Sequence, residues 1–302
     1  MENRRIIGRM NAITEPIDIV SEAAPVAIGG VGGSGTRIVA HLLRELSFDM
    51  GDDLNESLDD LCFTALFKRS CLWPPEAHHC ELRDALEIYL SARHSPTPNN
   101  ICLEQHRQRS EAAIMALQNE KSWREHGKVS DRLPALQQLG AAPTRWGWKE
   151  PNTHIFLPFL LRALPNMKYI HVIRSGLDLA FSSNQNQLGL WGKALLGEDT
   201  NCASAEDSFR YWCAAHKRLL SLLPHAKERI FLLRFESLVT QPNLVLKELA
   251  RFLSMEINKK TLQQWHLALE VPATLGRYSG EAPFEIDQDQ SQLLAHFGYS
   301  IC

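Results

Sequence analysis

This sequence predicts an α/β fold, a three-layer sandwich with a central parallel sheet and a glycine-rich phosphate-binding loop near the start of the chain. Three observations carry the prediction: a glycine run set between a short apolar strand and an amphipathic helix, a buried strand at Tyr169 to Ile173 that ends in arginine, and strands alternating with helices along most of the chain. With 302 residues, 44% of them hydrophobic and 22% charged, the chain suits one compact domain, residues 1–302, of which residues 1–22 read as a flexible N-terminal segment.

The elements follow in order. Pro25 to Ile28 is a short apolar strand, and the helix expected from Thr36 through Leu46 puts Ile38, Val39, Leu42, Leu43 and Leu46 on one face, with Arg44 and Glu45 on the wet side. From Phe48 to Asn100 the pattern is mostly helical. It breaks at Trp73-Pro74-Pro75 and Ser95-Pro96-Thr97-Pro98, where proline cannot continue a helix and loops around an acceptor site are expected. A helix from Gln105 to Glu125 comes next, and Arg145 to Lys149 reads as a strand stopped by Pro151. Phe156, Phe159, Leu160 and Leu164 mark a helix before the strand Tyr169 to Ile173, and a last strand, Ile230 to Phe235, precedes a helix from Leu244 to Leu253. No internal repeat, low-complexity tract or Gly/Ser linker divides the chain.

A formal net charge of −3 is unsuited to coating nucleic acid, so any anion site is local. The seven cysteines are scattered and contain no C-x-x-C pair, which fits reduced structural thiols. The first twenty residues mix Glu2, Arg4, Arg5, Arg9, Glu15 and Asp18 with short apolar runs, unlike a signal peptide, and no window approaches the roughly 20 apolar residues that span a bilayer. A cytoplasmic protein without integral membrane association is expected.

Gly29-Gly30-Val31-Gly32-Gly33-Ser34-Gly35-Thr36-Arg37 supplies five glycines where a strand hands over to a helix. Backbone N–H groups and the positive end of the helix dipole would face an anion there, with Ser34 and Thr36 adding hydroxyl donors and Arg37 a charge. Gly30 and Gly35 fit the G-x-x-x-x-G-K-[ST] pattern of ATP and GTP hydrolases, but Thr36-Arg37 stands where Lys and Ser/Thr belong, so that signature fails. Further on, Tyr169 to Ser182 is a strand ending in Arg174, a turn, and a helix with Ser182 eight residues after the arginine.

These two segments resemble the PAPS-dependent sulfotransferase family, P-loop-like α/β enzymes, and are closest in motif to its bacterial and glycan-type members. Ser34-Gly35-Thr36-Arg37 matches the core of the family's 5′-phosphosulfate loop, [K/R]-x-G-T-x, and Arg174 with Ser182 matches its 3′-phosphate element. Leu233-Arg234-Phe235-Glu236-Ser237-Leu238 is similar to the family's late L-R-F/Y-E-D-L strand, and Gly276-Arg277-Tyr278 to a C-terminal piece through which Arg277 would reach the 3′-phosphate region. The resemblance implies that Gly32, Gly33, Ser34, Gly35, Thr36, Arg37, Arg174, Ser182 and Arg277 bind 3′-phosphoadenosine 5′-phosphosulfate (PAPS) or its product 3′,5′-adenosine bisphosphate. One departure stands out: Gly33 occupies the family's Lys/Arg position, so the cation for the bridging oxygen comes from elsewhere, with Arg37 and Lys149 as candidates.

Sulfuryl transfer needs an in-line approach, a base for the acceptor proton, and positive charge at the bridging oxygen, with no metal required in principle. Clusters of His, Asp and Glu at metal-ligand spacing are absent from the sequence, in keeping with that. Glu56 lies about as far beyond the phosphate loop as the catalytic glutamate of glycan-type members and is the expected base, although Asp52, Asp53, Asp59 and Asp60 around it read as a solvated acidic face. His78, His79, His106 and His154 are the alternatives. Trp148-Lys149-Glu150-Pro151 resembles the family's K-x-P motif, so Lys149 is expected to stabilise the transferring group. The acceptor, an alcohol or amine on a glycan, lipid or small molecule, is not encoded in any motif. Neither is the oligomeric state. The rival functions are an ATP-dependent small-molecule kinase of the same fold and a non-catalytic nucleotide-binding protein.

Overall fold

The structure, a computed structural model, describes residues 16–17, 24–93, 100–117, 129–139, 143–202, 204–269, 271–278 and 284–300. In chain order the elements are β1 (Val26–Gly30), α1 (Thr36–Glu45), α2 (Leu61–Phe67), α3 (His79–Arg93), α4 (Asn100–Leu117), α5 (Leu133–Leu136), β2 (Gly147–Lys149), α6 (Thr153–Ala163), β3 (Lys168–Ile173), α7 (Gly176–Ala180), α8 (Asn186–Leu196), α9 (Ala205–Ala226), β4 (Ile230–Arg234), α10 (Phe235–Thr240), α11 (Pro242–Phe252), α12 (Lys259–Ala268) and α13 (Gln288–His296). The chain divides into two compact units, one formed by Met1–Pro25, Phe48–Glu150 and Ile155–Met167, the other by Val26–Ser47, Pro151–His154 and Lys168–Cys302. Nearly all of the expected N-terminal segment 1–22, the Ser95 to Pro98 loop and the end of the helix expected to reach Glu125 lie outside the described residues.

The first unit is mainly helical. Phe63 of α2 stacks on Phe67 at 4.3 Å and on Trp148 of β2 at 5.0 Å between ring centroids, and Tyr89 of α3 meets Phe63 edge-on, so aromatic surface fills this core. Asp60 caps α2 by accepting the N–H of Phe63 at 2.9 Å, which ends the preceding loop and starts the helix.

In the second unit β1, β3 and β4 form parallel pairs, in register from Val26 opposite Lys168 to Gly30 opposite Val172, and from Tyr169 opposite Ile230 to Ile173 opposite Arg234. The mixed α/β class with a central parallel sheet, expected from alternation, is what the chain forms. Every residue of β1 is buried, as a strand covered on both faces requires. β1 runs two residues beyond its expected end because Gly29 and Gly30 still pair with β3. Phe235 opens α10 rather than closing β4. Parallel strands deliver the residues that follow Gly30, Ile173 and Arg234 to one edge of the sheet, the carboxyl edge where α/β proteins bind ligands.

Three histidines are buried behind that edge: ring centroids of His154 and His171 lie 6.0 Å apart, and those of His171 and His216 5.1 Å. Burial disfavours the charged imidazolium, pushing His154 down to about 3, His216 to about 4 and His171 well below its ordinary value. Unfolded histidine titrates near pH ~6.5, so below that the unfolded chain binds more protons than the folded one. The stability these rings contribute is complete above about pH 6.5 and is lost as pH falls toward 4. Thermal melts at successive pH values are expected to show Tm falling steadily across that interval, and a flat Tm would contradict neutral, buried rings.

Candidate nucleotide site

The glycine run forms the loop between β1 and α1. Gly35, at φ 96°, is the N-cap of α1, which has no side-chain cap and no acidic residue in its first turn, so its N-terminal N–H groups and dipole are open to an anion. Ser34 is buried and its Oγ has no hydrogen-bond partner, a costly state that an incoming phosphate oxygen would relieve. Thr36 is buried beside it, whereas Arg37 is exposed and makes no ion pair among the described residues. Together these residues fit a bound 5′-phosphate.

The glycines have distinct reasons. At Gly35 a Cβ would lie 2.3 and 2.5 Å from ring atoms of Phe235, and the positive φ adds strain for any other residue. Gly35→Ala is therefore expected to cost about 2–4 kcal/mol of stability, from left-handed strain plus overpacking, and to abolish nucleotide binding; a melt within a degree of wild type would refute the contact. Gly33 sits exposed at φ 86°. A Cβ there would be 3.8 Å from Ser182 Oγ, so the glycine loop lies beside the segment that follows β3.

Arg174 follows β3 directly. Its carbonyl accepts from Trp212 Nε1 at 3.0 Å and its guanidinium lies 5.4 Å over the ring of Phe235, the same ring that abuts Gly35. Arg174 Nη1 is 3.5 Å from the carbonyl oxygen of Gly33, and Nη2 donates to the Thr274 carbonyl and, at 3.2 Å, to its hydroxyl. Ser175 caps α7, and its N–H donates to Glu236 Oε1 at 2.9 Å, fixing the turn after the arginine. Ser182 Oγ accepts from the N–H of Asn184. Arg277 is exposed and donates to the Phe181 carbonyl at 3.1 Å, one residue from Ser182. All nine cofactor residues named from sequence thus lie in the second unit, and Gly33, Arg174 and Ser182 are gathered together there.

Glu56 and Lys149 belong to the first unit. Glu56 is exposed at the tip of a turn in which Asn55 accepts the N–H groups of Ser57 and Asp59. Lys149 is buried, donates to the Ser57 carbonyl at 3.0 Å and pairs with Asp59, so it clamps that turn from beneath. Its ion pair is internal rather than a surface one. Among the alternative bases, His106 is buried against the Leu136 carbonyl and His154 against Gln187. No group of three or more His, Cys, Asp or Glu side chains able to hold a metal ion occurs among the described residues. No described helix is long and apolar enough to cross a membrane.

Sequence reasoning missed several supporting residues. Gln187 donates to the Gly30 carbonyl at 3.1 Å and touches the space beside Gly32, Phe235 packs against Gly35, and Glu236 holds the turn after Arg174. The late L-R-F-E match pointed at the last two without giving them a task.

A family model described as the Sulfotransferase family matches residues 25–259. No curated protein matches the chain. Among solved structures it is similar to the sulfotransferase domain from the curacin biosynthetic pathway, at 14% identity and TM-score 0.48 over 92% of this chain and 99% of that one. It is also similar to the sulfotransferase domain of an olefin synthase from Synechococcus PCC 7002, at 16% identity and TM-score 0.48 over 95% and 97%. A sulfotransferase from Mycobacterium avium aligns at 13% identity and TM-score 0.42 over 98% and 79%.

Proposed function

The chain belongs to the sulfotransferase family, and from that premise we propose that it transfers the sulfuryl group of PAPS to a hydroxyl or amine of an acceptor by in-line displacement. The observation that supports the proposal is the 3.5 Å approach of Arg174 Nη1 to the Gly33 carbonyl, because the arginine we assign to the 3′-phosphate then stands beside the loop we assign to the 5′-phosphate. One adenosine ligand carrying anions at both ends suits that spacing.

PAPS supplies an activated sulfuryl group whose bridging oxygen gains negative charge as its bond to sulfur breaks. The loop amides, Ser34, Thr36 and Arg37 are assigned to the 5′-phosphosulfate, with Gly32 and Gly33 letting the backbone approach closely. Arg174, Ser182 and Arg277 are assigned to the 3′-phosphate, since planar, bidentate arginine selects phosphate. Glu56 is the proposed base: it takes the acceptor's proton as the acceptor oxygen or nitrogen bonds to sulfur. Lys149 is assigned to stabilising the transferred group, and its bonds to Ser57 and Asp59 also support the turn that presents Glu56. The proposal treats the chain as one catalytic domain. It works in the cytoplasm, a setting that the free Cys62, Cys80, Cys202 and Cys213 suit.

Transfer of labelled sulfate from PAPS to acceptors in an extract, with chelator present, tests the proposal. Labelled product is expected, and labelling from ATP with magnesium in its place would overturn it in favour of a kinase. Within this scheme Lys149→Ala is expected to lower kcat about a hundredfold with modest change in PAPS affinity. Unchanged turnover would remove Lys149 from the mechanism.

A further inference from the structure

Asp178 lies four residues after Arg174 on α7 and is buried, at 4% exposure. Its two oxygens have separate tasks. Oδ2 accepts the N–H of Gly276 at 2.9 Å and faces Arg174 Nη2 at 3.5 Å, while Oδ1 accepts the N–H of Tyr278 at 2.9 Å. The residue between those two amides is Arg277. The same segment is held twice more: Thr274 accepts from Arg174, and the ring of Tyr278 stacks on that of Phe181, with centroids 5.5 Å apart and planes 8° apart. One carboxylate therefore joins two arginines that come from distant parts of the chain.

We propose that Asp178 is a positioning residue for 3′-phosphate recognition, fixing the guanidinium of Arg174 and the backbone on either side of Arg277 so that both cations converge beside Ser182. Each of its oxygens already accepts one amide and its charge is balanced by Arg174, so it acts through its neighbours and, being an anion, does not bind the phosphate. Asparagine at this position has one acceptor oxygen and no charge, so it cannot receive both amides and balance the arginine. The inference rests on the proposed use of PAPS and deepens it by naming what sets the preference for a nucleotide with a 3′-phosphate.

The test is calorimetry on the full chain with 3′,5′-adenosine bisphosphate and with 5′-AMP, for wild type, Asp178→Asn, Arg277→Ala and the double variant. Asp178→Asn is expected to weaken binding of the bisphosphate about tenfold, with 5′-AMP changed less than about twofold. Arg277→Ala, at an exposed position that leaves the fold intact, is expected to show the same selective loss. The double variant should lose less than the product of the two single losses, because both changes act in part through Arg277. An unchanged bisphosphate-to-AMP ratio in either single variant, an equal loss for both ligands, or additive losses would overturn the inference. A wild-type chain with no preference for the bisphosphate removes the proposed function along with it, whereas a wild-type preference that survives both substitutions overturns the positioning role alone.

Discussion

Replacing Arg174 by alanine is expected to weaken binding of 3′,5′-adenosine bisphosphate about a hundredfold or more, the loss of two charge-assisted hydrogen bonds in a site that excludes much of the solvent. Arg174 is buried and its guanidinium is steered by the Phe235 ring at 5.4 Å and by Asp178 at 3.5 Å, so little of its freedom remains to be lost on binding. Lysine should not rescue it. A point charge on a flexible stem cannot reproduce the planar fork, nor stack on Phe235 in the same way. Affinity for 5′-AMP is the internal control, because its phosphate is assigned to the loop and α1. A drop for 5′-AMP as large as that for the bisphosphate would mean that Arg174 supports the fold rather than selecting the 3′-phosphate.

The second large effect is expected at Glu56. Glu56→Gln keeps the size and hydrogen-bonding reach of the side chain and removes its ability to take a proton, so kcat should fall by roughly 10²- to 10⁴-fold while PAPS affinity is unchanged. The position favours a clean result: the side chain is exposed, and the turn beneath it is held by Asn55, Asp59 and Lys149 rather than by the glutamate itself. Steady-state kinetics with any acceptor found active would decide it. Unchanged kcat would pass the role to a histidine, with His78 and His79 more accessible than the buried His106 and His154.

The parts of this molecule that were legible in the sequence are those written in local pattern. Apolar spacing at Val39, Leu42 and Leu43 specifies one buried helical face, with Ile38 half-buried at its margin, and the run Tyr169 to Ile173 specifies a covered strand, because each depends only on residues a few positions apart. The glycine run was legible for the same reason. What the sequence hid depends on contacts between remote segments. Nothing near Gly35 announces that its missing side chain makes room for Phe235, and nothing near Asp178 announces the amides of Gly276 and Tyr278.

The acidic run around Glu56 shows the same limit from the other side. Read locally it is a solvated face, yet Asp60 is buried, caps α2 and bonds Tyr89 at 2.8 Å, Asp59 pairs with Lys149, and Asp53 pairs with Arg132 at 2.5 Å. Burial raises the Asp60 carboxyl against the opposing pull of Arg93. Three of these carboxylates are therefore structural partners, whose cations lie far along the chain and cannot be matched to them by spacing.

The most direct measurement is calorimetric titration of the intact protein with 3′,5′-adenosine bisphosphate in chelator, beside 5′-AMP under the same conditions and ATP with magnesium. Two anion elements acting on one adenosine predict that the bisphosphate binds without metal and about tenfold or more tighter than 5′-AMP. Equal affinity for the two, or binding confined to ATP with magnesium, would contradict the account.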